Sequence, residues 1–120
     1  MNNRHYLIAA LFFLMLAFSF LVPVKQTSWI RINQLGYIPT GWKVAVWCSK
    51  RSEKIHSFKL CEAGSQKVVF EAPPSTYFGA YGPFENTCRL NFSSFKKPGR
   101  YYLQTGETVS PEFNIDTDVY

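Results

Sequence analysis

From Trp29 onward, short runs that alternate apolar with polar residues are separated at close intervals by turn formers, and no stretch keeps a helical period. That pattern constrains the fold more than any single residue. A strand half-buried in a sheet places successive side chains on opposite faces, so a two-residue period marks it. The candidate strands are 29–33, 43–48, 56–61, 67–71, 87–92, 100–104 and 112–115. Turn signals lie between them: Gly36, Pro39 and Gly41; residues 50–54; Ala63-Gly64-Ser65; Pro73-Pro74; Pro98-Gly99; and Thr105-Gly106. Seven short strands with punctuation at this spacing predict an all-β chain, an antiparallel β-sandwich. Lys59 to Phe70 reads as one hairpin with Gly64 in its short loop.

The N-terminus is of a different kind. A short basic start, Met1 to His5, precedes the uncharged and mostly apolar residues 6–22. That is the layout of an export signal, and the length also admits an uncleaved N-terminal membrane anchor. Both readings place the rest of the chain outside the cytoplasm: periplasmic, cell-surface or secreted. They make residues 1–28 a leader, and membrane contact is expected only through residues 6–22. Once Arg4 and Lys25 are set aside with the leader, eleven basic residues face eight acidic ones, so the formal charge falls from +5 to +3. No basic run exceeds Lys96-Lys97 or Lys50-Arg51, so the clustered stripe of a nucleic-acid surface is missing.

Three segments are more specific than their periodicity. Trp29-Ile30-Arg31-Ile32-Asn33-Gln34-Leu35-Gly36-Tyr37-Ile38-Pro39, followed by Lys43-Val44-Ala45-Val46-Trp47, resembles the opening of the immunoglobulin-like domain in front of the catalytic barrel of family 9 glycoside hydrolases, the cellulases and endoglucanases. Asn91-Phe92-Ser93-Ser94-Phe95 with Pro98-Gly99-Arg100-Tyr101-Tyr102-Leu103 resembles a later segment of that domain, although Asn91 stands where the family often has Asp. Ser110-Pro111-Glu112-Phe113-Asn114-Ile115 and Val119-Tyr120 resemble its close. The resemblance implies an immunoglobulin-like sandwich over residues 29–116, with 117–120 starting a linker to a catalytic domain. It also implies a non-catalytic module that packs on, and stabilises, an (α/α) barrel in the same polypeptide. The parent enzyme would hydrolyse β-1,4-glucan with inversion.

Inverting hydrolysis needs a carboxylic acid and a carboxylate held across the scissile bond. The mature region has Glu53, Glu62, Glu71, Glu85, Glu107, Glu112, Asp116 and Asp118, all of which read as solvent-facing strand or turn residues. None falls in a motif of the family's catalytic kind. One histidine outside the leader, His56, and three scattered cysteines do not make a zinc site. No cofactor is implied.

Four groups of residues carry the remaining expectations. Asn33, Gln34 and Tyr37, with Tyr120, are expected to fix the loop after the first strand or to contact the catalytic domain. Tyr77, Phe78, Tyr81 and Phe84 sit in a Pro- and Gly-rich segment, 72–86; they either fold back over the sandwich, meet another domain, or offer rings to a sugar. Cys48 shares a face with Val44 and Val46, and Cys88 with Leu90 and Phe92; a Cys48–Cys88 bridge and plain burial as small hydrophobes both stand. The rival to an accessory module is a stand-alone domain: one that binds β-glucan through Trp42, Trp47 and the 77–84 rings, or one for adhesion at the cell surface. A coplanar row of exposed rings would favour the glucan-binding form.

Overall fold

A computed structural model describes residues 25–120. The candidate leader, apart from its last few residues, lies outside the described part. Eight strands form in chain order: β1 (Ser28–Arg31), β2 (Val44–Ser49), β3 (Phe58–Glu62), β4 (Val68–Ala72), β5 (Asn86–Asn91), β6 (Gly99–Thr105), β7 (Thr108–Val109) and β8 (Phe113–Ile115). They make two sheets, β1-β2-β5 and β4-β3-β6 with β7 and β8 both paired to β6. Every strand pairing is antiparallel. This is an immunoglobulin-like β-sandwich.

Alternation decides which side chains enter the core. Ile30, Ala45, Trp47, Cys88 and Leu90 point inward from the first sheet; Phe58, Leu60, Tyr101, Leu103, Phe113 and Ile115 answer them from the second. Removing these side chains from water is the main term that holds the two layers together.

Three departures from the sequence pattern have local causes. β7 has only two residues and follows the Gly106 turn, so it carries no readable period. The hairpin between β3 and β4 takes its positive φ at Gln66 (61°), not at Gly64. β1 begins at Ser28 because the chain already runs beside β2 there, and the Lys50 amide donates to Thr27 O (2.8 Å) just before it.

The sandwich rims are occupied in different ways. Ser28 Oγ and Thr108 Oγ1 meet at 2.5 Å and link β1 to β7 across the layers. Tyr37 forms a parallel bridge with Ile115 on β8. Along β5, the Ser75 amide donates to Arg89 O (3.0 Å), the Arg89 amide to Ser75 Oγ (2.9 Å) and the Phe78 amide to Thr87 O (3.0 Å), so residues 75–79 lie as a strap on that strand's free side.

Candidate functional site

At one end of the sandwich, the chain between β1 and β2 folds into a loop whose polar groups are satisfied internally. Asn33 Oδ1 accepts from the Leu35 amide (3.0 Å), and Asn33 O accepts from the Gly36 amide (3.0 Å), which closes a tight turn. Gly36 takes φ +95°, and a Cβ there would lie 2.5 Å from Asn114 O. Only glycine fits both the dihedral and the contact.

Tyr37 is the fastener. Its hydroxyl accepts from the Asn33 amide (2.9 Å) and donates to Val44 O (3.0 Å), joining the loop's start to the next strand. Its ring is buried edge-on against Phe92 (5.1 Å) and Phe113 (5.4 Å). Its amide donates to Asn114 O (2.9 Å), and its carbonyl accepts from the Asp116 amide (3.0 Å). Burial pushes its hydroxyl pKa above the ordinary value; the Asn33 amide pulls it back, and Tyr120 adds a smaller upward push. Tyr120 closes the network from the far end of the chain: its hydroxyl accepts from Asn33 Nδ2 (3.1 Å) and donates to Gly36 O (3.2 Å). Gln34 lies exposed between these partners.

The second half of the loop is held by a residue that the sequence reading left aside. Lys43 is fully buried. Its Nζ donates to Pro39 O (2.5 Å), Gly41 O (3.1 Å) and Ile38 O (3.4 Å). Burial lowers its pKa, and the Lys96 charge adds to that. A lysine at a strand start reads as a surface residue, so only the curl of the loop around it could have revealed this role. The outcome is a stiff loop that leaves Leu35 66% and Trp42 83% exposed, with Tyr120 beside it at 71%. Stable apolar exposure of that kind marks a contact surface.

The aromatic segment splits in two. Tyr77 is half-buried, its ring near Trp47 (6.4 Å), and its hydroxyl accepts from the Ile55 amide (2.6 Å) and donates to Ile55 O (2.8 Å). Trp47 is a core residue, so neither it nor Tyr77 is free to stack on a sugar. Phe78 and Tyr81 are exposed, and Phe84 lies half-buried on the outer face of the β1-β2-β5 sheet against Trp29 (5.8 Å).

That outer face has a regular layout. Arg31 pairs with Val46 and Val46 with Arg89 in one row; Trp29, Cys48 and Thr87 form the next. The same register corrects one expectation. Cys88 sits opposite Trp47 and points into the core, whereas Cys48 sits opposite Thr87 and points outward, so the Cys48–Cys88 bridge cannot form. Both thiols are free and buried, as is that of Cys61. Burial pushes Cys88 up to about 11. Cys48 is also raised by burial, with Arg31 beside it acting in the opposite sense.

Seven of the eight carboxylates are exposed, and Glu62 is half-buried. Among the described residues, no three histidines, cysteines or carboxylates gather as metal ligands. His56 is exposed.

The chain matches the model of the cellulase N-terminal immunoglobulin-like domain over residues 25–110. It belongs to that family. No curated protein matches it. Among solved structures it is similar to a family 9 glycoside hydrolase of Bacteroides ovatus, with 30% identity and a TM-score of 0.60 over 75% of this chain and 16% of that one. A metagenome-derived family 9 endoglucanase is 28% identical, with a TM-score of 0.64, over 74% of this chain and 18% of that one. A thermostable endoglucanase from Alicyclobacillus acidocaldarius shares the fold at 23% identity and a TM-score of 0.62, over 76% of this chain and 15% of that one. The chain therefore spans less than a fifth of the length of these relatives.

Proposed function

We propose that this cellulase-type immunoglobulin-like domain is a non-catalytic accessory module. It packs on the catalytic (α/α) barrel of its own polypeptide and stabilises it. The enzyme assigned to that polypeptide is an inverting endo-β-1,4-glucanase, and its location is outside the cytoplasm, directed by residues 1–28 as signal or anchor. The module proper is residues 29–116, and 117–120 begin the connection.

One observation carries the reading. The loop from Asn33 to Lys43 is built to be rigid, yet it leaves Leu35 and Trp42 in water beside Tyr120. Interfaces between domains of one chain are small and partly polar, so two or three fixed apolar side chains with a polar surround suit them.

The test joins the chain in frame to a family 9 catalytic domain and compares it with the Leu35→Asp/Trp42→Asp double variant. The expected outcome is a lower inactivation temperature for the variant, with the module itself still folded. Equal inactivation temperatures for variant, parent and barrel alone would refute the docking role.

A further inference from the structure

The geometry points to the outer face of the β1-β2-β5 sheet as a second binding surface, one that takes an acidic polysaccharide carrying carboxylates along its chain. This goes beyond docking on the barrel and uses different residues. Arg31 and Arg89 flank Val46 in one row across three strands, which places their Cα atoms roughly 10 Å apart. Carboxylates on alternate sugars of an extended uronate chain span a comparable distance. Val46 is exposed between them.

Each cation is set on a ring. The Arg31 guanidinium lies 5.5 Å from the Phe84 centroid, Arg89 lies 4.9 Å from Phe78, and the Lys50 ammonium lies 5.5 Å from Trp29. Stacking of this kind holds a guanidinium flat and leaves its N–H edge free for a carboxylate fork. None of the three is neutralised by the protein. The one ion pair among the described residues is Arg100 with Glu112, on the other sheet. Glu85, next to Phe84 in sequence, makes no ion pair with any of them.

Two shallow cavities on this face flank the rings. One, of about 550 Å³, is bordered by Trp29, Arg31, Lys50 and Phe84; the other, of about 340 Å³, by Val46, Phe78, Tyr81 and Arg89. Exposed Phe78 and Tyr81 supply apolar surface for the C–H faces of sugar rings, and the arginines supply the charge match. An anionic chain fits this pairing better than a neutral glucan, because three unpaired cations would otherwise repel one another beneath the ligand.

The experiment uses the purified chain and polygalacturonate as the probe, measured by affinity electrophoresis and titration calorimetry. Hydroxyethylcellulose and single-stranded DNA serve as comparison polymers. The expected result is retardation by polygalacturonate that falls as salt rises and is absent with the neutral polymer. Arg31→Gln and Arg89→Gln should each weaken it by about tenfold or more. Arg31→Lys, which keeps the charge but not the fork, should fall between. Lys59→Gln on the opposite sheet should leave it unchanged. No retardation, equal retardation by DNA, or arginine variants that bind like the parent would each overturn the assignment. So would a chain that self-associates through this face in place of binding. Failure here is separable from failure of the docking role, since the Leu35→Asp/Trp42→Asp variant keeps the surface intact and the arginine variants keep the loop intact.

Discussion

Replacing Tyr37 by Phe isolates what one hydroxyl contributes to the loop. The ring stays, and with it the edge-on contacts to Phe92 and Phe113. What leaves is an acceptor for the Asn33 amide and a donor to Val44 O. A net hydrogen bond contributes about 0.5–1.5 kcal/mol, and a buried partner left unsatisfied costs about 1–3 kcal/mol. Asn33 lies at the surface, where water can replace the lost acceptor, whereas Val44 is only partly accessible. The sum is a loss of about 1–3 kcal/mol. Urea unfolding should show it as a lower midpoint with an unchanged slope, because the surface exposed on unfolding is the same. Tyr120→Phe is the matched control. Its hydroxyl links the same loop, but the residue is exposed, so the expected loss stays within about 0.5 kcal/mol. If the two variants unfold at the same urea concentration, the buried hydroxyl is not what fastens the loop, and the reasoning fails.

Three further outcomes follow from the same geometry. Gly36→Ala must hold φ near +95° and push Asn114 O away from 2.5 Å, so a loss of about 2 kcal/mol or more in urea is expected; a neutral result would mean the turn re-forms freely. Lys43→Met keeps the stem but leaves the carbonyls of Ile38, Pro39 and Gly41 without their donor, with an expected loss of about 1–3 kcal/mol and a changed Trp42 emission; a gain in stability would show that desolvating the ammonium outweighs the three bonds. At alkaline pH, Cys88 and Tyr37 have folded pKa values above their unfolded ones, so the stability they contribute is complete at neutral pH and is lost as pH rises; for Cys88 the loss runs from about 9 through about 11. Lys43, lowered by burial, acts with the opposite sign, whereas Cys48, Tyr77 and Tyr101, all raised by burial, act in the same sense as Cys88. Melts between pH 8 and 11 should therefore fall, and Cys88→Ala should flatten that slope; an identical slope would remove Cys88 as its cause.

The strands were legible because alternation and turn residues agree over residues 29–115. Face assignment was legible too: Val44, Val46 and Cys48 do share the outward side. Register was not, and register is what separates Cys48 from Cys88. Periodicity within one strand carries no information about which residue stands opposite on the next. The same gap hid the Arg31–Val46–Arg89 row, which exists only once three strands are aligned. Lys43 was hidden for a different reason. Its burial depends on three backbone carbonyls of a loop, and backbone carbonyls leave no mark in a sequence. The 72–86 segment resisted because Tyr77 and Phe78 are chemically alike, yet one hydroxyl finds the Ile55 backbone and the neighbouring ring has none to offer.

The strap on β5 also governs how this domain behaves when crowded with copies of itself. A bare rim strand is a template that a neighbour's chain can extend. Here residues 75–79 occupy the β5 rim, a single hydroxyl contact ties the short β1 rim to β7, and Tyr37 sits on β8. Among the described edge strands that no backbone segment covers, β1 has four residues and β4 five, so β4 is the longer rim open to strand exchange. Glu71 within it and Lys67 at its start place charge on either side of Val68, Val69 and Phe70, a barrier to fibre growth from that side. A protease that cuts the strap would expose a further, less guarded template, so clipped preparations should aggregate where intact ones remain dispersed.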